Sequence, residues 1–332
     1  MPAIATVVAW ANPETIEQAK SALLAGRLVA FPTETVYGLG ADAANDRAVA
    51  MLYAAKERPA FNPLIAHVTD LAAARRLAQF DAESLKLAEA FWPGPLTLVL
   101  AKHRDCRVGQ LATAGLNTIA VRVPSHPVAH NILSAFGKPV VAPSANRSGR
   151  VSPTSARHVQ ADLGGRIDLI VDGGATPLGI ESTILACFGT TVLLRPGSTP
   201  RGAIEECLGH DIAVATRSTH AGDGSGRPLA PGMLISHYAP HALVRMNAVT
   251  VAPGEALLAF GTTLPQDAGK ARTALNLSPR CDLVEAAGNL FNYLRELDGT
   301  GVDSIAVAPI PDEGLGEAIN DRLRRAAAPR RR

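Results

Sequence analysis

The strongest constraint on this chain is a rhythm. Over residues 1–208, stretches with apolar side chains at helical spacing alternate with short β-branched runs bounded by Pro or Gly. Asn12 and Pro13 supply a cap and a first helical position, Ile16, Ala19, Leu23 and Leu24 recur at helical spacing, and Gly26 stops the helix. "RLVAF" follows as a strand, then a helix over 46–56 with Val49, Leu52 and Tyr53 inward. "LIAHV", "LTLVLA", "TIAVRVP", "PVVAP", "DLIVDGG", "STILAC" and "VLLRPG" read as further strands. "DLAAARRLAQF", "AESLKLAEAF", 128–136, 154–163 and "TPRGAIEECLG" read as helices, the last with Pro200 just inside it. Several strands follow one another with no helix between them. The pattern therefore predicts an α/β fold with a twisted mixed sheet and flanking helices.

The rhythm stops at Gly209. Residues 209–240, with "HAGDGSGRPLAPGMLISHYAP", are rich in Gly and Pro and hold no period, which marks a linker or ordered loop. Strands "ALVRM", "EALLAF" and "ARTALNL", a helix over 282–297, strand "SIAVAPI" and a helix over 315–327 then resume the pattern. The expected organisation is a first domain at 1–208, a linker or lid at 209–240 and a small Rossmann-like α/β domain at 241–332.

Composition narrows the classes of function. An apolar share of 47% with 19% charged residues excludes a disordered chain. No apolar run reaches the roughly 20 residues that a bilayer crossing needs. The N-terminal "MPAIATVVAWANPE" lacks the basic flank of a secretory signal, so the cytoplasm is the expected compartment and no membrane partner is expected. A net charge of +2 predicts no strong electrostatic partner for the whole chain. The basic tail "RLRRAAAPRRR" reads as solvated, an RNA contact being the other reading. Cys106, Cys187, Cys207 and Cys281 show no metal-ligand spacing and read as reduced, mostly buried thiols.

Polar clusters fall at strand ends and in loops, where α/β folds carry their chemistry. "FPTETVYGLG" holds Thr33, Thr35 and Tyr37, with Tyr37 and Gly38 expected to shape a bend. "KERPAFNPLIAH" carries Lys56, Arg58, Asn62 and His67, and "NTIAVRVPSHP" puts Thr118 and Arg122 on one face of a strand. "APSANRSGRVSPT" holds Ser144, Asn146, Ser148 and Ser152 around Gly149, and Ser182 and Arg195 come later. Fixed cations beside hydroxyls and glycine-rich turns suit carboxylate and phosphate groups. Each cluster also has an ordinary explanation: a self-satisfied turn for 33–37, a helix-dipole contact for Lys56 and Arg58, a core histidine for His67, an internal ion pair for Arg122. The chain lacks GxxxxGK[ST], a GxGxxG after the first strand, GxSxG and HExxH, which argues against P-loop, serine-hydrolase and zinc-hydrolase chemistry.

Taken in order, "FPTETVYGLG", "KERPAFNPLIAHV", "WPGPLTLVL", "VRVPSHP", "APSANRSGRVSPT", "ESTI" and "LLRPG" resemble the motifs of YrdC-like proteins. "LAPGMLISHYAPH" resembles the linker of their long form, the threonylcarbamoyl-AMP synthases. The resemblance covers nearly the whole chain and implies the YrdC-like type of mixed sheet. It implies synthesis of L-threonylcarbamoyladenylate from L-threonine, bicarbonate or CO₂, and ATP with Mg²⁺, releasing pyrophosphate. The product would feed threonylcarbamoylation of an adenosine beside the anticodon of tRNA, through downstream transfer machinery. It further implies a threonine site of Thr35, His67, Arg122, the backbone at Ala142, and Ser182. An ATP site of Lys56, Arg58, Asn62, Thr118, Ser144, Ser152 and Arg195 is implied too, with His237 and Tyr238 as a lid. Lys56, Arg58 and Ser144 would stabilise charge in the transition state, the metal arriving with ATP and not in a protein site. The family carries a small residue, usually Gly, where Glu57 stands. Two other readings stay open at this point, a carbamoyl-adenylate-handling carbamoyltransferase and an RNA-binding module of the same fold.

Overall fold

The computed structural model describes residues 4–215 and 238–329. Most of the linker expected at 209–240, including Gly222, Gly226, Pro228, Pro231 and His237, lies outside the described residues. In chain order the first part runs β1 (Val7–Trp10), α1 (Pro13–Leu24), β2 (Val29–Pro32), β3 (Tyr37–Asp42), α2 (Asp46–Lys56) and β4 (Ile65–His67). It continues with α3 (Leu71–Arg75), α4 (Ala82–Phe91), β5 (Leu96–Ala101), β6 (Thr118–Arg122), α5 (Pro127–Phe136) and β7 (Val140–Val141). Then come α6 (Ala156–Leu163), β8 (Leu169–Asp172), β9 (Thr183–Ala186), β10 (Val192–Arg195), α7 (Arg201–Leu208) and β11 (Ala213–Val214). These strands form one mixed sheet in the order β1-β8-β2-β3-β7-β4-β6-β5-β9-β10-β11.

Period-two alternation sorts side chains to the two faces of the sheet. Leu28 and Ala30 join the core that takes in α2 and α4, while Val29 and Phe31 pack on the opposite face with α1 and α5 residues such as Leu23 and Ile132. The caps follow local chemistry. Asn12 accepts from Thr15 N with Pro13 opening α1, and Asn45 accepts from the amides of Arg47 and Ala48.

The remaining elements are β12 (Leu243–Arg245), β13 (Ala256–Ala259), β14 (Thr273–Asn276), α8 (Leu283–Gly299), β15 (Ser304–Val307) and α9 (Leu315–Ala327). Their strands form a parallel sheet in the order β12-β15-β13-β14. Its core, with Leu290, Phe291, Leu294, Ile319 and Leu323, continues into Val36, Val151 and Ile180 of the first part. No helix among the described residues is long and apolar enough to cross a membrane.

Four local expectations need correction. "VYGLGAD" is a strand, so Tyr37 and Gly38 stand in β3, antiparallel to β2, and shape no bend. Gly38 and Gly40 are small for close approach: a Cβ on Gly40 would lie 2.7 Å from the Phe31 ring, and one on Gly38 would lie 3.1 Å from Ala142 Cβ. The helix read from "DLAAARRLAQF" shrinks to α3, and Pro200 is the N-cap of α7, outside the helix. Among the cysteines only Cys187 is buried; Cys281 is exposed.

Candidate active site

Residues 33–36 link β2 to β3 as a closed turn. Thr33 Oγ1 donates to Val36 O at 2.7 Å and accepts from the amides of Thr35 and Val36. This is the self-satisfied turn, yet it also presents side chains. Thr35 Oγ1 lies 3.1 Å from Arg122 Nη2, and Glu34 Oε1 takes a 2.6 Å bond from the same nitrogen. Burial pushes the Glu34 carboxyl up, but the Arg122 guanidinium more than offsets it and holds it below the usual range. The second carboxylate oxygen accepts from Ser125 N. Arg122 Nε donates to Gly94 O at 3.3 Å, and its Nη1 donates to no group among the described residues.

His67 sits opposite Arg122 in the β4–β6 register. Its Nδ1 is 3.2 Å from Ile65 O, a carbonyl that can only accept, so Nδ1 carries the proton and Nε2 is left as an acceptor. Burial, with Arg122 adding to it, lowers the imidazole pKa to about 3, so the ring is neutral. Thr118 occupies the far end of β6, paired with Ala101, roughly 13 Å along the strand from Arg122.

The segment after β7 is tied to β3: Leu39 N donates to Pro143 O, and Ala145 N to Tyr37 O. Lys56, at the end of α2, is buried beneath this segment and donates Nζ to the carbonyls of Ser144 and Asn146. Burial holds its pKa well below the usual value. Arg58 Nη2 donates to the carbonyls of Asn62 and Pro63, and burial brings the guanidinium down to about 10. Arg58 Nε, Asn62 Oδ1 and Asn146 Oδ1 are buried without a hydrogen-bond partner among the described residues. Such atoms are rare in folded proteins, and these three, in adjoining motifs, have hydrogen-bonding capacity left for water or a polar ligand. Glu57 closes α2 with φ 54°, a left-handed position that explains a glycine preference there. Its carboxylate points outward, 2.7 Å from Arg147 and 2.8 Å from Arg166, away from the motif's cationic pair.

The opposite wall comes from the segments before β9 and after β10. Ser182 Oγ lies 2.8 Å from Thr97 Oγ1, and Arg195 Nη2 donates to Ser182 O at 2.7 Å. Ser152 Oγ donates to Glu181 Oε1 at 2.5 Å, and Glu181 is held down to about 2: burial raises it, and Arg322 and Arg195 outweigh that. Gly197 lets the two segments touch, because a Cβ there would stand 2.4 Å from the Ser182 carbonyl carbon.

These walls enclose one cleft. Thr35, Arg58, His67, Arg122, Ala142, Ser144, Ser182, Arg195 and Tyr238 line it, together with Glu34's neighbours Thr33 and Val36, and Glu181. Lys56, Asn62 and Ser152 stand behind the lining, Thr118 lies apart, and His237 is outside the described residues. The cleft encloses about 40 Å³. That is below the roughly 300–1,000 Å³ that ligand pockets usually offer. A larger hollow of about 840 Å³, bordered by Arg76, His103 and Lys138, contains none of the expected residues. Sequence reasoning missed Glu34, Glu181 and Arg322. The carboxylates of "PTET" and "ESTI" were visible as letters, but nothing in spacing announced their arginine partners.

The comparisons fit this geometry. Residues 21–197 match the Sua5_yciO_yrdC family, described as telomere recombination, and 200–328 match the threonylcarbamoyl-AMP synthase C-terminal domain. The chain is 41% identical to the threonylcarbamoyl-AMP synthase of Bacillus subtilis (strain 168), over 96% of this chain and 94% of the relative. It is 41% identical to that of Pyrococcus abyssi, over 95% and 96%. The crystal structure of P. abyssi Sua5 complexed with L-threonine superposes with a TM-score of 0.84 at 38% identity, covering 98% of this chain and 97% of that one. E. coli YciO shares the fold of the first part, with a TM-score of 0.51 at 23% identity over 59% of this chain and 96% of its own. Matched by both family descriptions and by relatives along almost all its length, the chain belongs to the Sua5/YciO/YrdC family, among the threonylcarbamoyl-AMP synthases.

Proposed function

We propose that the cleft joins L-threonine, bicarbonate or CO₂, and ATP into L-threonylcarbamoyladenylate, with release of pyrophosphate. The observation that carries this reading is the convergence of Arg58, Arg122 and Arg195 with the hydroxyls of Thr35, Ser144 and Ser182 in one cleft. Arg122 Nη1 is free to take the threonine carboxylate, and neutral His67 offers Nε2 to the amine or the side-chain hydroxyl. A site that bonds this hydroxyl rejects valine, because its own polar groups would be left unpaired. The free amine of threonine bonds to the carbon of CO₂ as a C=O π pair moves onto oxygen, and the proton lost from nitrogen passes to water. One oxygen of the new carboxylate then bonds to the α-phosphorus as the bond to the β-phosphate oxygen breaks.

Charge building on the phosphoryl oxygens meets Arg58, Arg195 and Ser144. Lys56, expected to help stabilise that charge, donates Nζ to the carbonyls of Ser144 and Asn146 and so shapes the segment that would face the phosphates. ATP enters with its Mg²⁺ as a co-substrate species. No side chain need form a covalent bond; positioning and charge stabilisation suffice. Tyr238 lines the cleft and would bound the nucleotide side. The product, a labile mixed anhydride, would pass to machinery that transfers the threonylcarbamoyl group to tRNA.

The test is to incubate the purified chain with Mg²⁺-ATP, bicarbonate and single amino acids, and to assay pyrophosphate. Release that requires threonine and fails with valine is expected. Release without any amino acid, or one driven by carbamoyl phosphate, would favour the carbamoyltransferase reading. Binding of RNA with no pyrophosphate release at all would favour the RNA-binding module.

A further inference from the structure

Arg322 has no exposed surface, yet it projects from α9 of the C-terminal part onto residues of the first part. Nε donates to Glu181 Oε2 at 2.8 Å, Nη2 to Pro196 O at 3.0 Å and Nη1 to its neighbour Asp321 at 2.5 Å. Its Cζ lies 5.2 Å from the centre of the Tyr238 ring, a cation–π distance. The same ring stacks on Phe291 of α8 at 5.4 Å. Glu181 and Tyr238 both line the cleft, and Pro196 directly follows Arg195.

Mere docking does not explain this arrangement. Ile319, Leu323 and Ala326 already bury the apolar face of α9, and a buried guanidinium is a costly way to add adhesion. What its planar fork adds is direction. Tyr238 has φ 63°, a backbone state that a tyrosine holds only when its surroundings impose it. Glu181 would repel a triphosphate if its charge were not taken up from behind.

We propose that Arg322 is a positioning residue for adenylate formation: it fixes the Tyr238 ring over the cleft and neutralises Glu181, making the C-terminal part a component of the active site. This rests on the synthase reading given above. The wild-type protein must first show threonine-dependent pyrophosphate release; if it does not, that reading fails before Arg322 is tested.

Arg322→Met takes the facing guanidinium from buried Glu181, so it is studied beside the double variant Glu181→Gln/Arg322→Met, in which the Glu181 charge is removed as well and Asp321 keeps its pairing with Arg325. Arg201→Gln is the control. It removes a partly exposed 3.5 Å contact between α7 and Glu317 of α9, the helix that carries Arg322, and lies outside the cleft lining. The double variant is expected to recover the wild-type melting temperature while its KM for ATP stays raised about fivefold to tenfold, with the KM for threonine changed less. Arg322→Lys should not restore the ATP value, because an ammonium cannot reproduce the fork. In a Tyr238→Leu background, the Arg322 substitution should add little to the ATP effect. A double variant with wild-type KM for ATP and wild-type kcat, or full additivity with Tyr238→Leu, would overturn the proposal and reduce Arg322 to a structural ion pair.

Discussion

Thr35 shows how one side chain can satisfy an ordinary and a functional reading together. Its hydroxyl completes the 33–36 turn at 2.8 Å from Thr33 Oγ1 and also reaches Arg122. Thr35→Val keeps shape and removes only the hydroxyl. The dissociation constant for threonine, measured by calorimetry, should rise about fivefold to tenfold, the worth of one buried hydrogen bond, while that for ATP moves by less than about twofold. Equal losses for both ligands would remove Thr35 from the threonine site. Arg122 likewise pairs with an internal carboxylate, Glu34, through Nη2 while Nη1 has no acceptor among the described residues, so an internal ion pair and a ligand role are compatible. Glu57 tolerates a glycine-type φ because two arginines hold its carboxylate at the surface, although such exposed pairs stabilise by only about 0–1 kcal/mol.

Between elements, close backbone approach matters more than side-chain chemistry. The segment after β10 presses on the segment before β9 at Gly197, where a Cβ would meet Ser182 C and Thr183 N at 2.4 Å and Glu181 O at 2.5 Å. All three are backbone atoms with no rotamer to yield. Gly197→Ala should therefore move Glu181 and Ser182 together and cut kcat/KM at least about tenfold, since small displacements of positioning groups are costly in rate. It should also lower stability by about 1–3 kcal/mol, as overpacking does. A variant with normal turnover and unchanged Tm would show that this contact is slack. The same logic explains β3, where Gly38, expected to shape a bend, and Gly40 instead permit close approach to Ala142 and Phe31.

For the molecule as a whole, two buried histidines set the acid limit. Burial lowers His67 to about 3 and His158 to about 4, so both are neutral in the folded state and protonate near 6.5 when unfolded. Stability is therefore lost as pH falls below about 6.5, by about 1.4 kcal/mol per unit and per histidine, until the folded groups themselves protonate. Glu181 acts later, its contribution being lost only below about 4.5 as pH falls toward 2. Thermal melts from pH 7.5 to 5 should show a decline beginning near 6.5, and His158→Gln, outside the cleft, should about halve its slope while His67 carries the rest. A Tm constant down to pH 5 would refute the assignment. The two parts of the chain share this stability through common contacts, among them Arg295 with Asp162 at 2.7 Å and Ala239 N with Gly149 O at 2.8 Å.

The chain's local patterns were enough to specify α2, α9, the mixed character of the large sheet and the polar segments that meet in the cleft, because helical and strand periodicity and turn residues act over a few neighbours. They also indicated Arg122, whose valine neighbours turn inward and leave it facing the cleft. Only the tertiary structure decided that Lys56 lies beneath a loop, that Thr118 stands far from Arg122's end of β6, and that Glu34, Glu181 and Arg322 complete the charge balance. Those outcomes depend on partners 88 and 141 positions apart. Pairing across such distances is set by how sheets and helices pack, and no local period in a chain encodes it.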